Sequence, residues 1–162
     1  MSFKVRKNQN YKELIPRIAN IFEKLGYHRL HEYAKPYYIN CDEGCAYRVI
    51  DSNKLKQMHD GAKPNKYGHL KLKCKDGTME DVYTHQLIMR YGGIPNIKKK
   101  TLGHHIDGNV AHNGRKNVLP MDGKEHHKAH WIFTHKPDKY SEFIESVRKD
   151  NCGENDKIGN HN

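Results

Sequence analysis

Seven of the thirteen histidines (104, 105, 112, 126, 127, 130 and 135) fall within one short stretch of the 162-residue chain. His126 and His130 are four apart, so on a helix they share a face, and two imidazoles so placed can reach one metal ion. His104 and His105 are adjacent, so on a strand their side chains point to opposite sides or diverge at its end. One of the two can join the helical pair at a metal while the other points at a substrate. Such an arrangement has three histidine ligands, an open coordination position and one free base. It would suit a hydrolytic centre, since a metal polarises a phosphate and a free imidazole activates water. An i, i+4 histidine pair suits structural zinc equally well. His127 and His135 read as facing solvent or contacting DNA, and His112 is assigned no chemistry.

From residue 102 the elements read as strand, loop, strand and helix in that order. Leu102 to Ile106 is a short strand candidate, followed by a polar loop over 107–116 with Gly108, Asn109, Asn113 and Gly114. Asn117 to Met121 reads as a second strand, and Asp122 as the N-cap of a helix running to about Phe133. Pro137 breaks the chain. A last helix over 138–149 would place Tyr140, Phe143, Ile144 and Val147 on one side. Residues 150–162 are polar and Gly/Asn-rich, and are expected to be disordered.

Upstream, Tyr11 to Leu25 has apolar residues at helical spacing, with Asn10 and Glu13 as a capping box and Gly26 as the stop. Pro16 either kinks this helix or marks its first turn. Residues 28–37 read as a connector. Short strands are expected at 47–50, at 55–58 and at 69–74, where apolar and basic residues alternate. Asp76-Gly77 supplies a hairpin turn to Val82-Tyr83. Thr84 to Tyr91 reads as a helix stopped by Gly92-Gly93. Lys71 and Lys73 then leave one sheet face, which either lies along a DNA backbone or meets water.

Composition narrows the partners. The chain carries 29 Lys+Arg against 19 Asp+Glu, a net charge of +10. All the excess lies in residues 1–100, densest from Ser52 to Lys75, with a second cluster at Lys98-Lys99-Lys100. A one-sided excess of this size points to a polyanion, most commonly nucleic acid. Lys54, Lys56, Lys63, Lys66, Lys71, Lys73 and Arg115 are the candidate DNA contacts. Only 35% of residues are hydrophobic and the mean hydropathy is −1.02, so a thin, loop-rich core is expected. No apolar run approaches the ~20 residues of a membrane span, and the start lacks a signal peptide's apolar region. A cytoplasmic protein is therefore expected, with no membrane and no obligate protein partner. Cys41, Cys45 and Cys74 are either ordinary thiols or, with weak CxxxC spacing, a structural zinc site.

The segment His104-His105-Ile106-Asp107-Gly108-Asn109, then Asn113, Asn117-Val118-Leu119 and Glu125-His126-His127-Lys128-Ala129-His130, resembles the HNH nuclease motif. The stretch from Asn65 through Asp76-Gly77 to Leu87 is similar to what precedes that motif in phage HNH homing endonucleases. The similarity covers roughly 37–133. It implies an α+β fold with a small antiparallel β-hairpin region followed by a ββα-metal unit. The expected organisation is a helical N-terminal segment (1–36), a basic β-rich DNA-binding region (37–100), the catalytic unit (101–135), and a C-terminal helix and tail (136–162).

The resemblance also implies roles. His105 matches the general base, and Asn117 the middle residue that pins the loop and orients the base. His104 and His126 match metal ligands, and His130 the third ligand of the colicin-type branch. One divalent ion is expected, Mg²⁺ or Mn²⁺ for turnover, with Zn²⁺ also suited to three imidazoles. The implied function is endonucleolytic hydrolysis of double-stranded DNA, site-specific or nicking, in a phage-infected bacterium. An unperturbed base would lose activity below about pH 6. The alternatives are a non-catalytic, zinc-stabilised nucleic-acid-binding module and a nonspecific DNase or RNase.

Overall fold

A computed structural model describes residues 20–51, 54–94, 100 and 102–153. The fold is α+β, with three small antiparallel sheets and helices set against them. Residues 20–24 are helical and end at Gly26, whose φ of +87° is the left-handed stop that glycine makes without cost. The rest of the helix expected over 11–25, Pro16 included, lies outside the described residues.

The first sheet has the order β1 (Tyr27–Arg29), β2 (Tyr37–Asn40), β3 (Cys45–Asp51) and β4 (Lys54–Gln57). The connector expected over 28–37 is thus partly a strand: His28 pairs with Ile39 and Arg29 with Tyr38. Three residues with no apolar alternation give no strand signal, and the pairing is set by the neighbouring strand. This pairing crosses the expected boundary at residue 36. β2 is buried throughout because both its faces are covered. Tyr37 and Ile39 join the core, while Tyr38 meets Phe22 edge to face at 5.3 Å.

β5 (His69–Lys73) and β6 (Met79–Tyr83) form the expected hairpin, turned at Gly77 with φ +92°. Leu70, Leu72 and Val82 face inward, and His69, Lys71 and Lys73 outward. Helix α1 (Thr84–Tyr91) follows directly and sends Leu87 and Ile88 into the same core as Leu30, Tyr33 and Ile39.

β7 (Leu102–His105) and β8 (Val118–Met121) pair antiparallel, and helix α2 (Gly123–His135) follows. Asp122 caps α2 by accepting from the backbone N–H of Lys124 and Glu125, while Glu125 reaches back to the Asp122 N–H. Both Glu125 oxygens also lie 2.6 Å from Lys100 Nζ. Lys100 therefore anchors this helix start and is not a free cation of the cluster at 98–100. Helix α3 (Pro137–Gly153) packs Tyr140, Ile144 and Val147 against Ala129 and Ile132 of α2 and Leu119 and Met121 of β8. It runs past the expected end at 149, and Asn151 donates to the carbonyl of Pro120 at 3.2 Å, tying its last turn to β8. Residues 154–162 of the expected tail lie outside the described residues.

Candidate metal centre and active site

β7 ends with two histidines whose rings diverge, as alternation along a strand requires. His104 enters the space between α2 and α3. His105 turns toward the 107–117 loop, Tyr67 and His85. The helical pair meets the first of these. His104 lies 5.4 Å from His126 and 4.9 Å from His130 between ring centroids, and the helical pair is 4.6 Å apart. One ring nitrogen from each residue lies within 4.8 Å of the other two, close enough for three imidazoles to share an ion, and it is the one such group among the described residues.

Local sequence explains the approach. Gly103 lets β7 lie against α1, since a Cβ there would sit 3.0 Å from the His85 ring and 3.1 Å from the Met89 sulfur. Ala129, fully buried, lets α2 settle on the hairpin between His126 and His130. His104 is 2% exposed, and its Nδ1 has no hydrogen-bond partner among the described residues. Burial, then the neighbouring His130 and His126, pushes its pKa down to about 4. His126 is lowered by burial first, then by His130, His127 and His105. Both rings are therefore neutral, the form that binds metal.

His105 is 4% exposed. Its Nε2 lies 3.0 Å from Asn113 Oδ1, which accepts the ring N–H. Its Nδ1 is then the lone-pair nitrogen, buried and without a partner among the described residues. Burial lowers its pKa, against a smaller upward pull from the Asn113 bond and from Asp107. Half-exposed Tyr67 stands 5.7 Å from the His105 ring, and His85 stands edge-on at 5.5 Å. His85, partly buried, is also held neutral, at about 4, by burial and by His105.

Asn117 is in the loop network and makes no hydrogen bond to the His105 ring among the described residues. Its Oδ1 accepts from the Asp107 N–H at 3.1 Å, and its Nδ2 donates to Asp107 Oδ1 at 2.9 Å and to the His112 carbonyl at 2.8 Å. His112 closes the network by donating from Nδ1 to Asp107 Oδ2 at 2.5 Å and accepting from Asn109 at 3.0 Å. Burial raises the Asp107 pKa, but its bonds to His112, Asn109 and Asn117 outweigh that and hold the carboxyl below its usual range. The residue in contact with His105 is Asn113, which the motif contains but to which sequence reasoning gave no role. An amide in a polar loop carries no local sign that it will face an imidazole eight residues back.

Among the candidate DNA contacts, Lys54, Lys56, Lys63, Lys66, Lys71 and Lys73 are all exposed. Arg115 is engaged instead: its Nε lies 2.6 Å from Asp42. Arg48 was not anticipated; it is exposed and pairs directly with Lys56 across β3 and β4. The outer face of β5 and β6 runs into the histidine site through rings. His69 is 6.4 Å from Tyr83, Tyr83 is 6.0 Å from Tyr67, and Tyr67 borders His105. The cysteines are all free and form no metal group among the described residues. Buried Cys41, its thiol pushed up to about 11 by burial, lies in the core, so the zinc alternative for these residues is dropped. No helix among the described residues is long and apolar enough to cross a membrane. Comparison with protein-family models, with characterised proteins and with solved structures finds no match for the chain.

Proposed function

We propose that the chain is a metal-dependent endonuclease of the HNH type that hydrolyses DNA phosphodiester bonds, of the homing kind that nicks or cuts at chosen sites. The observation that carries this reading is the division of labour at the end of β7. His104 joins the two helical histidines, while its neighbour His105 stands outside that group and keeps a buried Nδ1 without a partner among the described residues. A structural zinc site gives no reason for a second oriented imidazole beside it.

The three imidazoles fit a divalent ion, since they converge, are neutral where a shift is seen, and leave His104 Nδ1 without a partner among the described residues. When bound, such an ion supplies Lewis-acid polarisation of a scissile phosphate. An all-imidazole set favours Zn²⁺ or Mn²⁺ over Mg²⁺ in binding strength. The chain's own residues do the rest. Asn113 holds the His105 N–H, so Nδ1 is the atom that takes a proton from the attacking water. Tyr67 borders the His105 ring, its centroid 5.7 Å away. Asn117, Asp107 and His112 keep the loop that carries Asn113 in one shape. The exposed lysines and Arg48 receive the DNA backbone and steer it along the β5–β6 face toward His105.

Plasmid cleavage by the wild type, His105→Ala and His126→Ala tests this, with EDTA, Mg²⁺, Mn²⁺ and Zn²⁺ and with binding followed by gel shift. Metal-dependent cleavage by the wild type is expected. His105→Ala should lose about 10²- to 10⁴-fold in rate while still binding DNA. His126→Ala should lose metal and cleavage together. Binding by all three proteins with no cleavage, on the plasmid or on a randomised-site library, would sink the enzyme reading in favour of a zinc-held DNA-binding module.

A further inference from the structure

Tyr140 belongs to α3, beyond the hairpin and helix that hold the histidines, yet its hydroxyl reaches the centre. It lies 2.6 Å from His104 Nε2 and 2.9 Å from the carbonyl oxygen of Ile106. We propose that Tyr140 is a positioning residue that locks His104 in its Nε2–H tautomer and so makes Nδ1 the atom offered to the metal. This rests on the metal centre of the proposed function.

The assignment follows from counting protons. A tyrosine hydroxyl has one hydrogen, and a carbonyl oxygen only accepts. The hydrogen therefore goes to Ile106. The short contact to His104 still needs a hydrogen, and only the imidazole can supply it. A neutral imidazole has one N–H, so Nδ1 is bare, and this is the buried nitrogen without a partner among the described residues. The opposite tautomer would bury an N–H with no partner among the described residues. It would also set two lone pairs against each other unless Tyr140 abandoned Ile106.

A further observation supports the lock. The ring is fixed among Ile144, Val147 and Ile132, with Phe133 edge-on at 4.9 Å. Phe133 in turn lies over Gly108, where a Cβ would come within 3.2 Å of its ring, so the seat of Tyr140 is closed by the loop itself. A partner that fixes the second nitrogen of a metal-binding histidine governs tautomer, ring orientation and basicity.

The test uses the full chain with Zn²⁺ as the probe. Long-range ¹H–¹⁵N spectra of the metal-free wild type should show His104 protonated at Nε2 and bare at Nδ1. In Tyr140→Phe a mixture of tautomers should appear, and Zn²⁺ affinity by calorimetry should fall about 10- to 100-fold. A wild-type His104 protonated at Nδ1 would overturn the proposal, and that spectrum decides even if the variant does not fold. So would a folded variant with unchanged tautomer and unchanged Zn²⁺ affinity, and in that case the metal centre itself would stand. Failure of the wild type to bind Zn²⁺ would remove the centre and the role of Tyr140 with it.

Discussion

Burial, and not an acidic neighbour, sets the protonation of the inner histidines. His85, His104, His105 and His126 all have lowered pKa values with desolvation as the first cause. This has two consequences of known sign. A base that must be neutral stays neutral to lower pH when its pKa falls, so the acid limb of kcat/KM should lie below that of a free imidazole. Activity near pH 6 should therefore be retained, in contrast to the loss expected for an unperturbed base. A pH–rate profile in a chemistry-limited assay checks this; a midpoint at or above 6.5 would count against it. Stability moves the other way. Between about 4 and 6.5 the unfolded chain binds more protons than the folded one at His85 and His104, so folding weakens as pH falls through that window. The slope should be at most about 1.4 kcal/mol per pH unit for each group. Urea unfolding of metal-free protein from pH 7 to 4.5 should show it, with a shallower dependence in His85→Phe. At this scale the sequence shows that adjacent histidines must diverge and that a spaced pair must converge. It does not show Asn113, His85 or Tyr140 at the site, because each arrives from an element whose packing, not its spacing, decides its neighbours.

The element that braces the proposed base is the turn between β2 and β3, far from the histidines in the chain. Asn40 Oδ1 accepts from the N–H of Asp42 and Glu43 at 3.1 Å, and Gly44 turns with φ +70°. A Cβ on Gly44 would sit 2.4 Å from the backbone of Asn113 and Gly114, and the Arg115 N–H donates to the Cys41 carbonyl at 2.8 Å. The turn thus presses on the loop that carries Asn113, and only glycine fits its tip. Gly44→Ala meets both a left-handed backbone penalty of about 1–2 kcal/mol and a backbone collision. It should lower cleavage by an order of magnitude or more while Zn²⁺ affinity stays near wild type, because His104, His126 and His130 do not lean on this turn. Equal loss of both would place the fault in global stability instead. The alternating strand at 69–73, the Asp-Gly turn, α1 and the order of elements from 102 onward can be read from periodicity and capping residues. β1 cannot, since a three-residue strand exists only through its partner. The extra turn of α3 is equally silent, as it is secured by the long-range bond from Asn151 to Pro120.

For the whole molecule the question is where the excess positive charge can act. The net +10 and its concentration in residues 1–100 are plain in the sequence, but strand register decides which cations are free. Lys71 stands opposite Asp81, which also lies 3.2 Å from His69, whereas Lys73 stands opposite Met79. Arg48 and Lys56 face each other with no acid in the pair, a repulsive arrangement that an isolated sheet would avoid and that a phosphate would relieve. Arg115 and Lys100 are already spent on Asp42 and Glu125. Each phosphate contact releases counterions and adds about 0.9 to the slope of log K against log salt. Lys73→Ala and Lys56→Ala should therefore each lower that slope by about 1, while Arg115→Ala should leave it unchanged, and Lys71→Ala should fall between because Asp81 already screens it. Fluorescence anisotropy on a short duplex at several salt concentrations reads these slopes directly. Equal slopes for all four variants and the wild type would mean that the DNA does not cross the β5–β6 face or the β3–β4 edge, and that the ring path from His69 to His105 is not its route.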